Sequence, residues 1–447
     1  MLKHKISIFF LLVSQILIAQ NIKKCNTMDL VYQSISEDSR NLIAMNEIAT
    51  NNNKWIREHT NESKSVITIP VVIHIVHKNT HANIGAGTNI SDAQIEDALR
   101  ILNEDFSKTN PEFPNPPRNT FLNSSGNPNL EFCFATIDPN GNSTTGVTRT
   151  VSTKTNFDPD TEANDMKRNN TGGKDGWDPS KYLNIWICDL AVSASGGMTL
   201  GYAYLPGLPS GGWGGDQTWK DGLVVDFQWF GTIQGASGDS RTATHEIGHY
   251  LGLNHTFCES QSGGCCDNDN NNVDDTPATD GVYWGSVNNT TNNNTCNDLS
   301  YGFSSDLLDM DENYMSYSQN TWMFTNSQVN AMNATLFGNG YRSNLINSNV
   351  TVNCSGTIGT VGINNLLDNN QINIYPNPTE GKILIQNLMQ SSNNSIIIRN
   401  ILGKTILTSD NKNSLVSLDL SHLENGIYFI EVSSSKGIRI EKVILAK

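Results

Sequence analysis

The stretch RTATHEIGHYLGLNH, residues 241–255, constrains this chain more than any other. His245 and His249 are four residues apart, so on a helix they lie one turn apart on the same face. Gly252 can adopt the left-handed conformation that ends a helix, after which His255 can return toward the first two histidines. Three imidazoles arranged in this way can bind one metal ion at about 2.0–2.1 Å.

Glu246 follows the first histidine, and its carboxylate can hold a water molecule bound to the same metal. Three protein nitrogens and one water form the open coordination sphere of a catalytic zinc ion. A single histidine is more often an ordinary surface or core residue, but this combination of three histidines, a glutamate and a glycine rarely arises by chance. The motif therefore predicts zinc-dependent hydrolysis.

The charge and the N-terminus bear on where the protein acts. The 447 residues include 29 lysines and arginines against 44 acidic residues, a net charge of −15 that argues against nucleic acid and anionic membranes as partners. Residues 1–20 are typical of a secretory signal peptide, because Lys3 and Lys5 precede an apolar run too short to span a bilayer. We therefore expect an exported mature protein without a transmembrane segment.

Periodicity predicts two folded regions. Strands are indicated at 67–78 (ITIPVVIHIVHK), 130–137 (LEFCFATI), 181–190 (KYLNIWICDL) and 221–230 (DGLVVDFQWF). An amphipathic helix is predicted after Ser91, which forms a capping box with Gln94. Strands and helices in this order indicate a twisted α/β sheet that precedes the motif helix. Short alternating strands near the C-terminus predict a small all-β sandwich.

Several stretches together resemble the metzincin metallopeptidases of the pappalysin family, in particular its cytophagalysin-like bacterial branch. They are GWDPSKYLNIWICDL, LGYAYLPG, DGLVVDF, RTATHEIGHYLGLNHTF, VDDTP and NYMSY, and the resemblance extends from about Cys25 to Thr325. It implies an α/β metzincin fold with a twisted mixed sheet, and a secreted zinc endopeptidase that acts on proteins or peptides. The strand in GLVVDFQWF is expected to lie along the cleft and to pair with an extended substrate.

Carried over residue by residue, the resemblance assigns roles within the site. His245, His249 and His255 would ligate zinc, and Glu246 would act as general base and then as general acid. Met315 would form the apolar floor of the Met-turn beneath the metal, and Tyr317 would stabilise the oxyanion or adjust with the substrate.

Substrate preference is expected to differ from that of some relatives. In those, an aspartate five residues after the Met-turn methionine lies in the S1′ pocket and pairs with a basic side chain. This chain has Asn320 there, which offers hydrogen bonds but no charge. We therefore expect weaker discrimination in favour of arginine at P1′.

The loop CCDNDNNNVDDTPATD resembles the calcium site of the family, and its oxygens are the ligands that hard cations take. Asp275 and the carbonyls of Val273 and Thr276 match the family pattern. Asn271 stands where an aspartate is usual, and Asp269 could substitute for it. The alternative is a solvated acidic loop.

Eight cysteines in an exported chain favour disulfides. The resemblance implies a bond between Cys266 and Cys296. A second family disulfide is missing, since Trp322 stands at one of its cysteine positions, and Cys258 and Cys265 could pair locally instead.

Cys25 lies in KKCNTMDL, which matches a cysteine-bearing stretch in the pro-segments of pappalysin relatives, although Asn26 replaces the usual glycine. A thiolate binds zinc at about 2.3 Å and would take the position of the catalytic water. This predicts a cysteine switch that cleavage before Ile67 releases. The alternative is that Cys25 forms a disulfide, for example with Cys354.

The C-terminal stretches YPNPTEGK, LDLSHLENGIYFIEV and KVILAK resemble the type A sorting domain of the type IX secretion system. They imply export across an outer membrane by that machinery and later removal of the domain, with a carbohydrate-binding sandwich as the alternative. The predicted regions are a signal peptide at 1–20, a pro-segment at 21–62, a catalytic domain at 63–354, a linker at 355–371 and the sorting domain at 372–447.

Two other functions are compatible with parts of the sequence. A binding protein or adhesin could keep the zinc fold without turnover, but such a site has no need of Glu246. A zinc amidase acting on non-peptide substrates is less consistent with the Met-turn.

Overall fold

The computed structural model describes residues 21–59, 65–192, 197–207, 217–233, 236, 241–259, 264–265, 273–338, 341–359, 373–386, 394–401, 404–411, 413–434 and 437–447. The predicted signal peptide, Asp269, Asn271 and Cys266 lie outside these residues. The chain divides into two compact units, Met1–Pro139 with Gly146–Ile358 and Asn140–Thr145 with Gly359–Lys447.

An eight-stranded mixed sheet forms the centre of the first unit, in the order β1-β6-β7-β5-β2-β3-β8 with β4 beside β2. Its strands are β1 (Asn21–Cys25), β2 (Ile67–Lys78), β3 (Leu130–Ala135), β4 (Val147–Ser152), β5 (Leu183–Cys188), β6 (Gly197–Ala203), β7 (Leu223–Asp226) and β8 (Val352–Asn353). Strands β2, β3, β4, β5 and β7 pair in parallel, whereas β6 is antiparallel to β7 and β8 to β3.

The β-branched run of β2 explains its central place. It is buried along nearly its whole length and pairs with three strands, because its Ile and Val side chains pack against layers on both faces of the sheet. The strand predictions for 67–78, 130–137 and 181–190 are confirmed. The one for 221–230 holds only for its first part, since a 3₁₀ turn at Phe227–Trp229 follows β7.

The expectation that GLVVDFQWF lines the cleft is wrong. Strand β7 is flanked by β5 on one side and β6 on the other, so its backbone hydrogen-bonding groups are taken up within the sheet. Strand β6 lies beyond it toward the edge, and β1 pairs with it in parallel from Asn21 to Cys25. Pairing order, which hydropathy does not encode, makes β6 the strand that borders the cleft.

Helices cover the sheet. They are α1 (Thr27–Glu37), α2 (Arg40–Glu58), α3 (Asp92–Ser107), α4 (Arg241–Tyr250) and α5 (Asn326–Phe337). One apolar core joins the sheet to α3, α4 and α5, and a second cluster brings Leu30 and Val31 of α1 against β6 and its neighbours. Ser91 caps α3 by accepting from the backbone N–H of Gln94, as predicted.

The predicted reciprocal bond of that capping box is not formed. The side-chain amide of Gln94 instead donates to the carbonyls of Phe227 and Phe230, at 2.9 and 2.8 Å. The side chain thereby fastens α3 to the turn that follows β7.

The second unit consists of short antiparallel strands, as predicted. They are β9 (Asn373–Tyr375), β10 (Lys382–Gln386), β11 (Asn394–Asn400), β12 (Thr405–Asn411), β13 (Leu415–Asp419), β14 (Gly426–Ser434) and β15 (Gly437–Leu445). One sheet has the order β13-β10-β9 and the other β12-β11-β14-β15, with an apolar core of isoleucines and valines. Among the described residues of the whole chain, no helix has the length and apolar character needed to cross a membrane.

Candidate metal centre

The three histidines of the motif meet at one point. Helix α4 carries His245 and His249 on one face, and the chain then reverses at Gly252, whose φ of +97° is readily adopted only by glycine. This turn brings back His255, and the three Nε2 atoms lie 3.1 Å from one another. All three rings are buried.

The outer nitrogens fix the tautomer of each ring. The Nδ1 atoms of His245 and His249 lie 2.7 Å from the carbonyl oxygens of Tyr314 and Leu253, and Nδ1 of His255 contacts the carboxylate of Glu259. Carbonyls and carboxylates only accept, so each Nδ1 carries a proton and each Nε2 presents a lone pair to the centre.

This donor set fits a metal ion. Burial, followed by the charges of His255 and His245, lowers the pKa of His249 well below its ordinary value, so its ring is neutral. Three converging lone pairs repel one another unless a cation lies between them, and neutral imidazole is the form that binds metal. Together with Sγ of Cys25, the ligand atoms lie within 4.8 Å of one another.

Glu246 lies at the same centre and is fully buried. Its Oε2 accepts from Thr27 Oγ1 at 3.1 Å and from Cys25 Sγ at 3.4 Å. Burial raises the pKa of Glu246 to about 8, and these two hydrogen bonds oppose the rise. Its Oε1 is buried without a hydrogen-bond partner among the described residues. The carboxyl group is therefore able to take up and release a proton, and residues near the N-terminus cover it.

Met315 lies directly beneath the helix of the motif. A Cβ atom on Gly248 would come within 2.3 Å of the Met315 sulfur, so the close packing of the Met-turn requires glycine there. The backbone N–H of Met315 donates to Asn313 Oδ1 at 2.9 Å, and the hydroxyl of Tyr314 donates to Asp105 at 2.7 Å. The turn is thereby held at a fixed distance from the histidines.

Tyr317 lies beside two of the ligands. Its ring centroid is 5.6 Å from that of His245 and 4.9 Å from that of His255. Burial raises the pKa of Tyr317 well above its usual value, so the phenol stays protonated and can donate a hydrogen bond. The geometry places it next to the reacting centre.

Asn320 is engaged elsewhere. Its amide exchanges two hydrogen bonds with the backbone of Val287, one of 2.7 Å from the N–H and one of 2.9 Å to the carbonyl. A separate cavity beside the centre is lined by Leu200, Trp229, Arg241, Thr242, His245, Glu246, Tyr314, Ser316 and Thr321. Asn320 is absent from that lining and instead fastens a loop.

The predicted calcium segment is described in part. Val273 and Thr276 are buried, and Asp275 Oδ2 accepts from the backbone N–H of Ser327 at 3.0 Å. Among the described residues, Asp275 Oδ1 is buried without a hydrogen-bond partner. A buried carboxylate oxygen of this kind fits a cation ligand.

The disulfide predictions need correction. Cys296 pairs with Cys265 and not with Cys266, and this bond also rules out the local pair between Cys258 and Cys265. Adjacent cysteines are equivalent in a sequence pattern, and only the path of the loop decides which sulfur comes within reach. A further bond joins Cys133 to Cys354, so Cys354 is not the partner of Cys25. Cys25 is a free, buried thiol, and Cys258 is disulfide-bonded.

Sequence reasoning missed three residues of the centre. Glu259 orients His255, the carbonyl of Tyr314 orients His245, and Asp105 holds the Tyr314 hydroxyl. The four-residue spacing of His255 and Glu259 is a weak signal for the first. The other two contacts depend on segments far apart in the chain, which no local pattern reveals.

Comparisons with known proteins agree with this geometry. Residues 166–337 match the model of peptidase family M43, described as pregnancy-associated plasma protein-A. Residues 373–446 match the model of a secretion system C-terminal sorting domain.

Solved structures match a larger share of the chain. Mature mirolysin of Tannerella forsythia, in complex with a cleaved peptide, is 35% identical with a TM-score of 0.53, and the match covers 63% of this chain and 96% of that one. Promirolysin of the same organism is 31% identical with a TM-score of 0.57, covering 72% and 97%.

A fungal protein matches over a shorter stretch. An extracellular metalloprotease of Pyricularia oryzae is 29% identical over 219 residues, which is 48% of this chain. The chain spans 58% of the length of that relative.

Proposed function

Since the chain belongs to the pappalysin family of metallopeptidases, peptidase family M43, we propose that it is an exported zinc endopeptidase made as a latent precursor. The observation that carries the proposal is the convergence of the Nε2 atoms of three buried imidazoles beside a buried glutamate. A site that only bound metal would not need a protonatable carboxyl group at that position.

His245, His249 and His255 would hold the zinc ion through Nε2. Nitrogen donors at this spacing suit zinc, whereas calcium and magnesium take oxygen ligands. When bound, the ion would polarise the peptide carbonyl and make the attacking water more acidic.

Glu246 moves the protons. Its carboxylate takes a proton from the water as the water oxygen attacks the carbonyl carbon of the substrate. It then gives that proton to the nitrogen of the leaving amine as the carbon–nitrogen bond breaks. The phenol of Tyr317 donates a hydrogen bond to the carbonyl oxygen as negative charge develops there, which its position beside His245 and His255 supports.

Strand β6 binds the substrate backbone. An extended peptide takes the edge that β1 occupies in the precursor, and its backbone hydrogen bonds are independent of sequence. Position 320, where some relatives have an aspartate, carries an asparagine whose amide is bonded to the backbone of Val287, so it provides no counter-charge for arginine at P1′.

Latency comes from the segment that carries Cys25. Its Sγ lies close to the ligand nitrogens of the three histidines and is a fourth possible ligand. The hydroxyl of Thr27 donates a hydrogen bond to the carboxylate of Glu246. Three imidazoles and one thiolate would fill the tetrahedral coordination of a bound zinc ion and would leave no position for water. Cleavage before Ile67 removes this segment and completes the active site.

Two further features complete the proposal. Calcium bound at Asp275, with Val273, Thr276 and Asp269, stabilises the loop after the motif. Residues 373–446 direct the chain to the type IX secretion machinery and out of the cell.

The decisive test is Glu246→Gln in the mature enzyme, assayed on casein with and without a zinc chelator. We expect wild-type activity to depend on zinc, and the variant to lose about 10²–10⁴-fold or more while it keeps its zinc and its melting temperature. Glu131→Gln, the same change on β3 away from the centre, is the matched control. Near-normal turnover by Glu246→Gln, or no zinc-dependent cleavage by the wild type, contradicts the proposal.

A further inference from the structure

Trp284 is an exposed tryptophan at the edge of the metal centre. Its side chain is 43% exposed, and its ring centroid lies 5.3 Å from that of Tyr317. Leaving a large apolar ring in water costs free energy that burial would recover, so an exposed aromatic beside a reacting centre is a candidate contact for a ligand.

The ring continues a cluster of aromatic side chains that begins at a metal ligand. Phe257 stacks on His255 with centroids 4.7 Å apart, and Tyr317 lies edge-on to both, at 4.9 Å from each. Phe257 and Tyr317 are buried, so the support under Trp284 is fixed. The cluster therefore presents one exposed aromatic ring, Trp284, against Tyr317, which itself contacts His255.

The loop that carries Trp284 is held to the segment after the Met-turn. The Gly285 carbonyl accepts from the backbone N–H of Gln319 at 3.0 Å, and Ser286 Oγ donates to the Gln319 side chain at 2.8 Å. The two bonds between Val287 and Asn320 extend this contact. These bonds fix the position of the loop. None of them involves the side chain of Trp284, so they do not explain why this position carries a tryptophan.

We propose that Trp284, supported by Tyr317, is a specificity-determining residue that binds an apolar or aromatic side chain of the peptide substrate on the His255 side of the metal. This inference rests on the proposed peptidase function. An aromatic face binds a flat or branched apolar side chain by burial and by offset stacking.

The surroundings of the cluster point to a substrate as the occupant. Cys25 belongs to the same apolar cluster as Phe257 and Tyr317, so a peptide segment in the cleft already uses part of this surface in the precursor. Trp284 stays exposed while that segment is present. The pro-segment therefore leaves this ring free for another side chain.

The cavity beside Glu246 receives a different side chain. It borders the centre at His245 and Glu246, and neither His255 nor Trp284 belongs to its lining. The cavity and the tryptophan thus contact substrate residues at different positions.

The test uses the mature enzyme and fluorogenic peptides varied one position at a time around a common cleavage site. The variants are Trp284→Ala, Trp284→Phe and, as a matched control, Trp219→Ala, whose ring packs against Arg168 and Lys220. We expect Trp284→Ala to lower kcat/KM about 10- to 100-fold for peptides with an aromatic or large apolar residue at one position, mainly through KM. Trp284→Phe keeps most of that preference, and Trp219→Ala keeps all of it.

A peptide with alanine at every varied position separates the two proposals. If the wild type cleaves no peptide, the peptidase function itself fails. If Trp284→Ala cleaves the alanine peptide normally and keeps the wild-type preference at every position, the specificity role is wrong. An equal loss on all peptides, with Trp284→Phe equally impaired, also overturns it, since that result indicates a role in folding.

Discussion

Each of the three histidines is oriented by a different acceptor, and the acceptor of His255 is the carboxylate of Glu259. Backbone carbonyls hold His245 and His249, whereas the contact from Glu259 to His255 comes from a half-buried carboxylate. A carboxylate behind a ligating imidazole fixes the ring and raises its basicity, and such partners contribute to metal affinity. Glu259 therefore affects the binding of the metal indirectly, by orienting His255.

We predict that Glu259→Ala weakens zinc binding by about 10- to 100-fold in the mature protein. Glu259→Gln keeps an acceptor without the charge, so its affinity should be intermediate. Competition with a chromophoric chelator measures the zinc dissociation constant directly, without an activity assay. Glu131→Ala is the control, and an unchanged dissociation constant in Glu259→Ala would exclude the orienting role.

At the scale of elements, the segment from β1 to α2 is built into the first unit. Thr27 Oγ1 accepts from the N–H of Ala203 on β6 at 2.9 Å, and Leu30 and Val31 are buried. Farther along, Asn52 donates to Thr335 of α5 at 3.3 Å, and Trp55 stacks on Phe337 with centroids 6.0 Å apart. These contacts hold Cys25 at the metal centre even though the residues around it carry little apolar periodicity.

We predict that Cys25→Ala gives an uncleaved precursor with measurable activity, or one that processes itself rapidly, because the fourth ligand is lost while the three histidines remain. The other free and buried cysteine of the described residues, Cys188, offers the matched control. Cys188→Ala should stay latent. Activity and cleavage are followed on freshly purified precursors, and a latent, stable Cys25→Ala precursor would defeat the switch.

At the scale of the whole molecule, the described residues of the long segment after the motif form little regular secondary structure. A 3₁₀ turn at Asp298–Tyr301 is its one helical element among the described residues between 256 and 311. The disulfide between Cys265 and Cys296 ties two parts of it together, and we propose that a calcium ion at Asp275 orders it further. Its stability should therefore depend on calcium more than on apolar burial.

We predict that a calcium-selective chelator lowers the melting temperature of the first unit before zinc is lost. Calcium at 100 times its dissociation constant stabilises the folded state by about 2.7 kcal/mol, which corresponds to roughly 4 °C for a unit of this size. Asp275→Asn should melt lower and lose the response, whereas Asp274→Asn, an exposed neighbour, should keep it. Calorimetry with parallel zinc analysis tests this, and an unchanged melting temperature argues against the site.

The sequence by itself determined the parts that depend on local spacing. A four-residue interval puts His245 and His249 on one helix face, and Gly252 allows the turn that returns His255, whatever surrounds them. The β-branched run of β2, the cap at Ser91 and the alternating C-terminal strands are likewise set by neighbouring residues. The comparisons confirm the resemblance to the family, and that resemblance assigned expected roles to Glu246 and Met315.

Only the tertiary structure decided which distant segments meet. Strand β6, and not β7, borders the cleft because β7 lies inside the sheet. Cys296 bonds to Cys265 and not to its neighbour Cys266. The side chain of Gln94 bonds to the carbonyls of Phe227 and Phe230 and not back to the helix cap. The tertiary structure also brought Glu259 to His255 and Trp284 to Tyr317. Each choice lies between partners of similar chemistry, so local preference does not separate them, and the winner is the one that the packing of the sheet and loops brings within reach.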